Sequence, residues 1–332
     1  MFIGSEVFPL IGFLNDPLDD LIDRLNGSVA FGITMMLTVL AFGQVQFGRA
    51  ITCLLPNPRA PIHSHVEHYL QRCYIEGLYR LDEKDMPDLS RGRLAYYMWY
   101  PYIFLAMSLF SILPKLFWKV MLHFHNTDFR AMVLEAEKLS SLSGEDHEIQ
   151  LVRCAKIIQD SCEINKRSSK ITGTVAYICT KLLYVGIVAF QLFITSHIVD
   201  DGFPLKGQCI LEFHEPQDTE SMECTLPLNG FYHSVFTFYL IWSSFLSAIT
   251  FTSALCSTSN LLIPALRRRL LKKLLMWPNT KIDRKSHVID FLGADGILLL
   301  VLIKQHNGAI VANDIAKEIY MQSMDRIAED LR

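Results

Sequence analysis

The sequence predicts an all-α membrane protein with four transmembrane helices, two disulfide-stapled extracellular loops and a helical cytoplasmic dome. Three observations lead to this prediction. Four apolar runs are long enough to cross a bilayer as helices. Lysine and arginine are concentrated in the segments that the four runs place on one side. Two cysteines fall in each of the two loops on the other side, where disulfides persist: Cys53 and Cys73, then Cys209 and Cys224.

The four apolar runs are predicted as transmembrane helices because a bilayer requires about 20 consecutive apolar residues. They are residues 29–48, 94–113, 171–198 and 235–263. Any one of them could be a buried helix of a large soluble protein, but four in one chain argue against that alternative. The third run contains Lys181, which is costly against lipid and is therefore expected to face protein or water.

The distribution of basic residues predicts the orientation of the spans. Residues 114–170 carry nine lysines and arginines and the tail after residue 263 carries twelve. Residues 49–93 carry seven, and residues 199–234 carry Lys206 alone. The strongest local cluster directly follows the fourth run: Arg267, Arg268, Arg269, Lys272 and Lys273. We therefore expect segment 1–28, loop 114–170 and tail 264–332 in the cytoplasm, and loops 49–93 and 199–234 outside the cell.

The cytoplasmic segments are expected to be helical. Residues 131–139 have the pattern of a helix. The apolar run 297–303 is too short to span a bilayer and is expected to be the core helix or strand of the tail. The loop and the tail together predict a cytoplasmic dome.

The cysteines of the two extracellular loops are expected to form disulfides. Four cysteines allow three pairings, and this count does not select one. The alternative is that these cysteines are free buried thiols. Cys154 and Cys162 are expected to be reduced in the cytoplasm, whereas Cys179 and Cys256 lie in spans and are expected to pack as small apolar residues.

Catalytic and nucleic-acid-binding functions are not predicted. The net charge is −3, without the basic stripe that nucleic acid requires. The chain lacks the phosphate-binding loop, nucleophile elbow and zinc-protease motifs, so neither a catalytic residue nor a cofactor is predicted. His63, His65 and His68 lie close together, but no spacing completes a four-ligand set. We therefore predict that the chain has no metal site and is not an enzyme.

Several segments together resemble the innexins, the invertebrate gap-junction channel family. The second span begins with Tyr96, Tyr97, Trp99 and Pro101, similar to the aromatic-proline sequence of that family, although Met98 stands where glutamine is usual. Tyr and Trp are typical of membrane interfaces, and Pro101 can kink a span. Other segments are also similar to the family and occur in the family's order along the chain: residues 50–53, before the second span, and residues 181–184, 223–229 and 291–296, after it.

The resemblance implies a subunit of a gap-junction channel in the plasma membrane. Innexin-like subunits form a ring, with eight expected, around a pore for ions and small molecules, and two rings on adjacent cells dock through their extracellular loops. It also implies that Cys53 pairs with Cys224 and Cys73 with Cys209. Two alternatives stay open: an undocked channel of the pannexin kind, and a four-span adhesion or scaffold protein.

The resemblance also places the N-terminal segment in the pore entrance. Its acidic residues, repeated around a ring, would give a negative mouth that favours cations: Glu6, Asp16, Asp19, Asp20 and Asp23. In the alternative, the aspartates cap the helix that leads into the first span or pair with basic residues of the tail.

Overall fold

The structure is a computed structural model that describes residues 16–48, 51–54, 66–81, 93–94, 98–124, 128–167, 173–212, 219–274 and 282–330. In chain order, its first elements are α1 (Leu21–Phe47), β1 (Thr52–Leu54), α2 (Val66–Glu76), β2 (Leu78–Tyr79), β3 (Arg93–Leu94), α3 (Tyr100–Phe124), α4 (Phe129–Lys138) and α5 (Glu145–Arg167). They are followed by α6 (Gly173–Asp200), β4 (Lys206–Glu212), β5 (Thr219–Thr225), α7 (Pro227–Leu262), α8 (Pro264–Leu274), α9 (Ile282–Asn307) and α10 (Ala309–Asp330).

Four helices of the described chain are long and apolar enough to cross a membrane: α1, α3, α6 and α7. This finding confirms the four-span, all-α class. The helices extend beyond the predicted runs. The longest, α7, has 36 residues, which at 1.5 Å per residue is roughly 54 Å, well beyond the ~30 Å bilayer core.

The first span begins early because its start is capped. The side chain of Asp20 accepts a hydrogen bond from the backbone N–H of Asp23 at 2.6 Å, which satisfies one of the free donors of the first turn. A π-helical turn, Leu25–Val29, follows. Within it, the side-chain amide of Asn26 donates to the carbonyl of Ile22 at 2.8 Å.

The second span differs from its predicted bounds at both ends. Helix α3 begins at Tyr100, so Pro101 lies in the first turn, where the N–H that proline lacks would have no partner in the helix. This placement corrects the expectation that Pro101 kinks the span. The helix also continues through Pro114 to Phe124. Trp99 is 64% exposed just before the helix, and Tyr96 and Tyr97 lie outside the described residues.

The residues form two compact units. One comprises Met1–Val29, Ser111–Ile187 and Ser247–Arg332, and the other comprises Ala30–Phe110 and Val188–Leu246. The statements that follow concern only the described residues of each unit.

The first unit has a helical core built from α4, α5, α9 and α10. Val133, Ile158, Leu298 and Ile315 are among its fully buried apolar side chains. Helix α4 confirms the helix predicted near residues 131–139. The run at 297–303 lies inside α9 and is buried, which confirms that it forms part of a core and shows that it is helical.

One break in the first unit has a stereochemical cause. Gly293 interrupts α9 with a φ of 64°, a left-handed backbone conformation that residues other than glycine rarely adopt. After this break, Asp295 caps the start of α6. Its carboxylate accepts hydrogen bonds from the backbone N–H of Thr174 at 2.8 Å and from the hydroxyl of the same residue at 2.6 Å. The backbone N–H of Gly173 also donates to it, at 3.3 Å.

The second unit contains a five-stranded antiparallel sheet in the order β1-β5-β4-β2-β3. The sequence did not predict this sheet. An aromatic cluster in the same unit joins α3 to α7. The rings of Phe104 and Phe236 stack at 4.7 Å, and the ring of Tyr100 meets those of Tyr232 and Phe236 edge-on at 4.9 and 4.8 Å.

Candidate functional site

The first candidate site is the sheet that the two cysteine-bearing loops build together. A disulfide joins Cys53 of β1 to Cys224 of β5, which lie directly opposite each other in the strand register. A second disulfide joins Cys73 of α2 to Cys209 of β4. Both bonds connect one loop with the other, across sequence separations of 171 and 136 residues. This is the pairing that the resemblance implies, and none of the four is a free thiol.

The two disulfides lie side by side. The sulfur atoms of Cys53, Cys73 and Cys224 are all within 4.8 Å of one another. Cys73, Cys209 and Cys224 are almost completely buried, and Cys53 is half-buried. Because both bonds meet at one point under the sheet, the loops are fixed to each other there, and neither can rearrange alone.

The other side of the sheet is polar and open. Met222 and Cys224 point into the core, whereas the alternating residues Glu223 and Thr225 are exposed. Lys206 pairs with Glu223 across the strands at 3.2 Å. Such a surface, rigid beneath and polar above, is suited to contact with another protein.

The second candidate site is a cluster of aspartates and lysines in the first unit. The ammonium of Lys115 lies 2.5 Å from the carboxylate of Asp19, and that of Lys119 lies 3.3 Å from Asp16. Both lysines belong to α3, and both aspartates belong to the segment before α1. The first pair is almost completely buried, with exposed side-chain fractions of 1% and 5%.

Lys181 of α6 completes this cluster. Its ammonium lies 2.6 Å from the carboxylate of Asp20 and 2.7 Å from that of Asp23, and 5.1 Å from the centre of the Tyr177 ring. The expectation that Lys181 faces protein is therefore confirmed. A buried ammonium requires such partners, because its desolvation is otherwise far too costly.

The cluster is nearly balanced in charge: four carboxylates face three ammonium groups. The charge of the described aspartates is therefore largely compensated by lysines of the same chain. Asp20 caps α1, as the alternative supposed, but the lysine partners lie on α3 and α6 rather than in the tail. Glu6 lies outside the described residues.

The electrostatic environment of Asp19 combines two opposing effects. Burial raises the pKa of its carboxyl above the ordinary value of 3.8, and the hydrogen bond and charge of Lys115 act in the opposite direction. The ammonium of Lys115 thus offsets part of the cost of burying the Asp19 carboxylate. Removal of either side chain would leave the other charge buried without its partner.

The remaining cysteines are free. Cys154 and Cys162 are buried in the first unit, and Cys179 and Cys256 are exposed on the surfaces of α6 and α7. Burial raises the pKa of the Cys154 thiol to about 11, so this thiol stays protonated. His63 and His65 lie outside the described residues, and the side chain of His68 is not described.

Sequence reasoning missed the lysine partners of the aspartates. The signal was present, because Lys181 within a span and Lys115 directly after a predicted span are cations that need a counter-charge. A pairing across 96 to 161 residues, however, is not apparent from local pattern.

These features define a class of protein: a four-span membrane protein whose two cysteine-bearing loops form one disulfide-linked sheet. The sequence model of the innexin family matches residues 19–221 and 201–323, and the chain belongs to that family.

Individual relatives match along most of the chain. Innexin-3 of Caenorhabditis elegans is 23% identical over 91% of this chain and 83% of its own length. Innexin unc-9 of the same organism is 21% identical over 92% of both chains. Innexin-16, also from Caenorhabditis elegans, is 25% identical over 92% of this chain and 90% of its own length.

Membership of this family assigns the general function. The chain is a multi-pass membrane protein and a subunit of a gap-junction channel. Innexins are channel proteins rather than enzymes.

Proposed function

We propose that eight copies of this chain form a ring around an aqueous pore in the plasma membrane, and that rings on adjacent cells dock through the disulfide-linked sheet. Ions and small molecules would then pass directly between the two cells. The polar residues of the docking surface include Lys206, Glu223 and Thr225, which are exposed on the sheet.

The observation that carries this proposal is the paired disulfides between the two loops. A loop that is disordered before binding must lose conformational entropy when it binds, and this loss weakens association. The two adjacent disulfides fix both loops in one shape in advance. This arrangement favours docking over a loop surface with no binding role.

For the orientation, we infer that both termini and loop 114–170 lie in the cytoplasm. The excess of lysine and arginine in these segments supports this orientation. The disulfides support it independently, because they persist outside the cell. The helices α4, α5, α9 and α10 would then form the cytoplasmic dome.

For the N-terminal segment, we infer a place at the cytoplasmic entrance of the pore, held there by the aspartate–lysine cluster. Asp19 and Asp20 tie residues just before α1 to Lys115 of α3 and Lys181 of α6. The buried pairs anchor the segment. Any preference for cations would then come from other groups of the entrance, such as Glu6.

The lack of glycosylation motifs in the two docking loops is consistent with close contact between cells. The sequence has one glycosylation motif, at Asn26. Asn26 is buried, with its side chain bonded to the carbonyl of Ile22 and to the hydroxyl of Thr250. A glycan on this asparagine would disrupt those contacts.

Electrical recording from paired cells separates this proposal from its alternatives. We expect current between two cells that both express the chain, and none when only one cell expresses it. Current to the bath without current between cells would indicate an undocked channel. Surface protein without either current would indicate an adhesion or scaffold protein.

A further inference from the structure

Helix α8 is a short basic helix that directly follows the fourth candidate span. It begins at Pro264, two residues after the end of α7 at Leu262. The backbone hydrogen bond from the N–H of Arg267 to the carbonyl of Ile263, at 2.9 Å, connects its first turn to the end of the span. Its eleven residues include three arginines and two lysines and no acidic residue.

The apolar and basic residues of α8 lie on different sides of the helix. Leu271 is buried in the helical core of the first unit, and Leu270 packs against that core. Arg268 and Arg269 are exposed on the other side. The helix is therefore fixed by its apolar side, and its basic side is presented outward.

The exposed arginines have no counter-charge within the described part of the chain. Neither Arg268 nor Arg269 makes an ion pair there. The Nε atom of the neighbouring Arg267 is buried without a hydrogen-bond partner in the same part of the chain. By contrast, the buried lysines of the first unit, Lys115 and Lys181, are paired closely with carboxylates.

We propose that the basic side of α8 binds the phosphate groups of anionic phospholipids in the adjacent membrane leaflet. The guanidinium of arginine donates a planar set of hydrogen bonds to phosphate oxygens, and a lipid headgroup offers such oxygens as acceptors. The proposal depends on the inferred orientation of the chain only in assigning this leaflet to the cytoplasmic side.

The position of α8 favours a lipid over a soluble anion. Arg269 is seven residues beyond the end of the span, at most roughly 10 Å along a helix. The potential of an anionic leaflet decays over about 8 Å at physiological ionic strength. The proposal therefore places Leu262 at the headgroups of this leaflet, with the length of α7 that exceeds the bilayer core at its N-terminal end. Leu262 and Ile263, directly before α8, are 58% and 46% exposed and can contact acyl chains.

The test measures binding of a short-chain, water-soluble phosphatidylserine to the purified full-length channel in neutral detergent by titration calorimetry. We expect the wild-type protein to bind this lipid, to bind it more weakly as salt is raised, and not to bind the matching phosphatidylcholine. Each basic residue near an anionic lipid surface contributes about fivefold in affinity. The double variant Arg268→Gln and Arg269→Gln is therefore expected to bind roughly 25-fold more weakly.

A matched variant controls for net charge. Arg153→Gln and Lys156→Gln remove two exposed charges from α5 and are expected to leave binding unchanged. Size-exclusion elution and the unfolding temperature should match between the variants. The proposal is overturned if the α8 variant binds like the wild type, if both variants weaken equally, or if inorganic phosphate binds as tightly as the lipid. Salt-independent binding by the wild-type protein would overturn it without any variant.

Discussion

The ammonium of Lys115 lies 2.5 Å from the carboxylate of Asp19, and both side chains are almost completely buried. This pair connects the segment that precedes the first span to the second span. Since a buried charge without its partner is strongly destabilising, the pair makes the position of the N-terminal segment dependent on one contact.

We therefore predict that Lys115→Met lowers the free energy of unfolding by about 3–5 kcal/mol, because Asp19 is left buried and unpaired. The double variant Asp19→Leu and Lys115→Met should recover most of this loss, since no buried charge remains. Thermal unfolding of the purified protein measures both. As a control, Lys138→Met breaks an exposed pair with Glu135 and should cost about 0–1 kcal/mol. Equal losses in Lys115→Met and Lys138→Met would contradict the account.

We also predict that the stability of Lys115→Met depends on pH. Burial raises the pKa of Asp19 above 3.8, and without Lys115 the opposing effect is lost, so the pKa rises further. A carboxyl with a raised pKa binds its proton more tightly in the folded state, so its contribution to stability falls as pH rises through the folded pKa. Unfolding temperatures of Lys115→Met, compared with the double variant, should agree in acid and diverge towards neutral pH. A difference that is independent of pH would disprove this assignment.

Asp295 provides a separate test in the tail. It accepts three hydrogen bonds from Gly173 and Thr174 at the start of α6. Asp295→Ala should lower the free energy of unfolding by about 1–2 kcal/mol, because the cap is lost, and Asp295→Asn should cost less. Asp314→Ala, which removes a partly exposed carboxylate 3.7 Å from Lys317, serves as the control in the same unfolding assay. If Asp295→Ala and Asp314→Ala have the same free energy of unfolding, the Asp295 cap does not contribute to stability as proposed.

The Cys154 thiol should be inert at neutral pH. Burial raises its pKa to about 11, and only the thiolate reacts with alkylating agents. At pH 8 its thiolate fraction is therefore about a thousandth. Mass spectrometry of the folded protein after treatment with iodoacetamide should find Cys154 unmodified, and denaturation should expose it. Rapid modification of the folded protein at pH 8 would contradict the burial of this thiol.

The spans and the sheet differ in how readily they could be predicted. Apolar runs of bilayer length predicted four long helices, because the membrane imposes a length and composition that local sequence records. The strands β1 and β2 have only three and two residues, too few for an alternating pattern to be visible. β1 pairs with β5 and β2 with β4, and these partners lie far apart in the chain.

The aspartate cluster shows a second limit. The acidic residues near the start of α1 were evident in the sequence, which left open both a negative pore mouth and local capping or pairing with basic residues. Lys115 and Lys181 neutralise them from two different helices, and the fold alone brings these residues together. The cap at Asp20 was among the alternatives because an aspartate before a helix is a local signal.

The most direct test of the central claim is the junctional current between two paired cells. One cell expresses the variant Cys53→Ser and Cys224→Ser, and the other expresses the wild-type chain. If the disulfide-linked sheet is the docking surface, disrupting it in one cell should abolish the current, while wild-type pairs conduct. Cys256→Ser, which removes an exposed free thiol, should leave the current intact, and surface labelling should find all three proteins at the membrane. Undiminished current with the disulfide variant at the cell surface would contradict docking through this sheet.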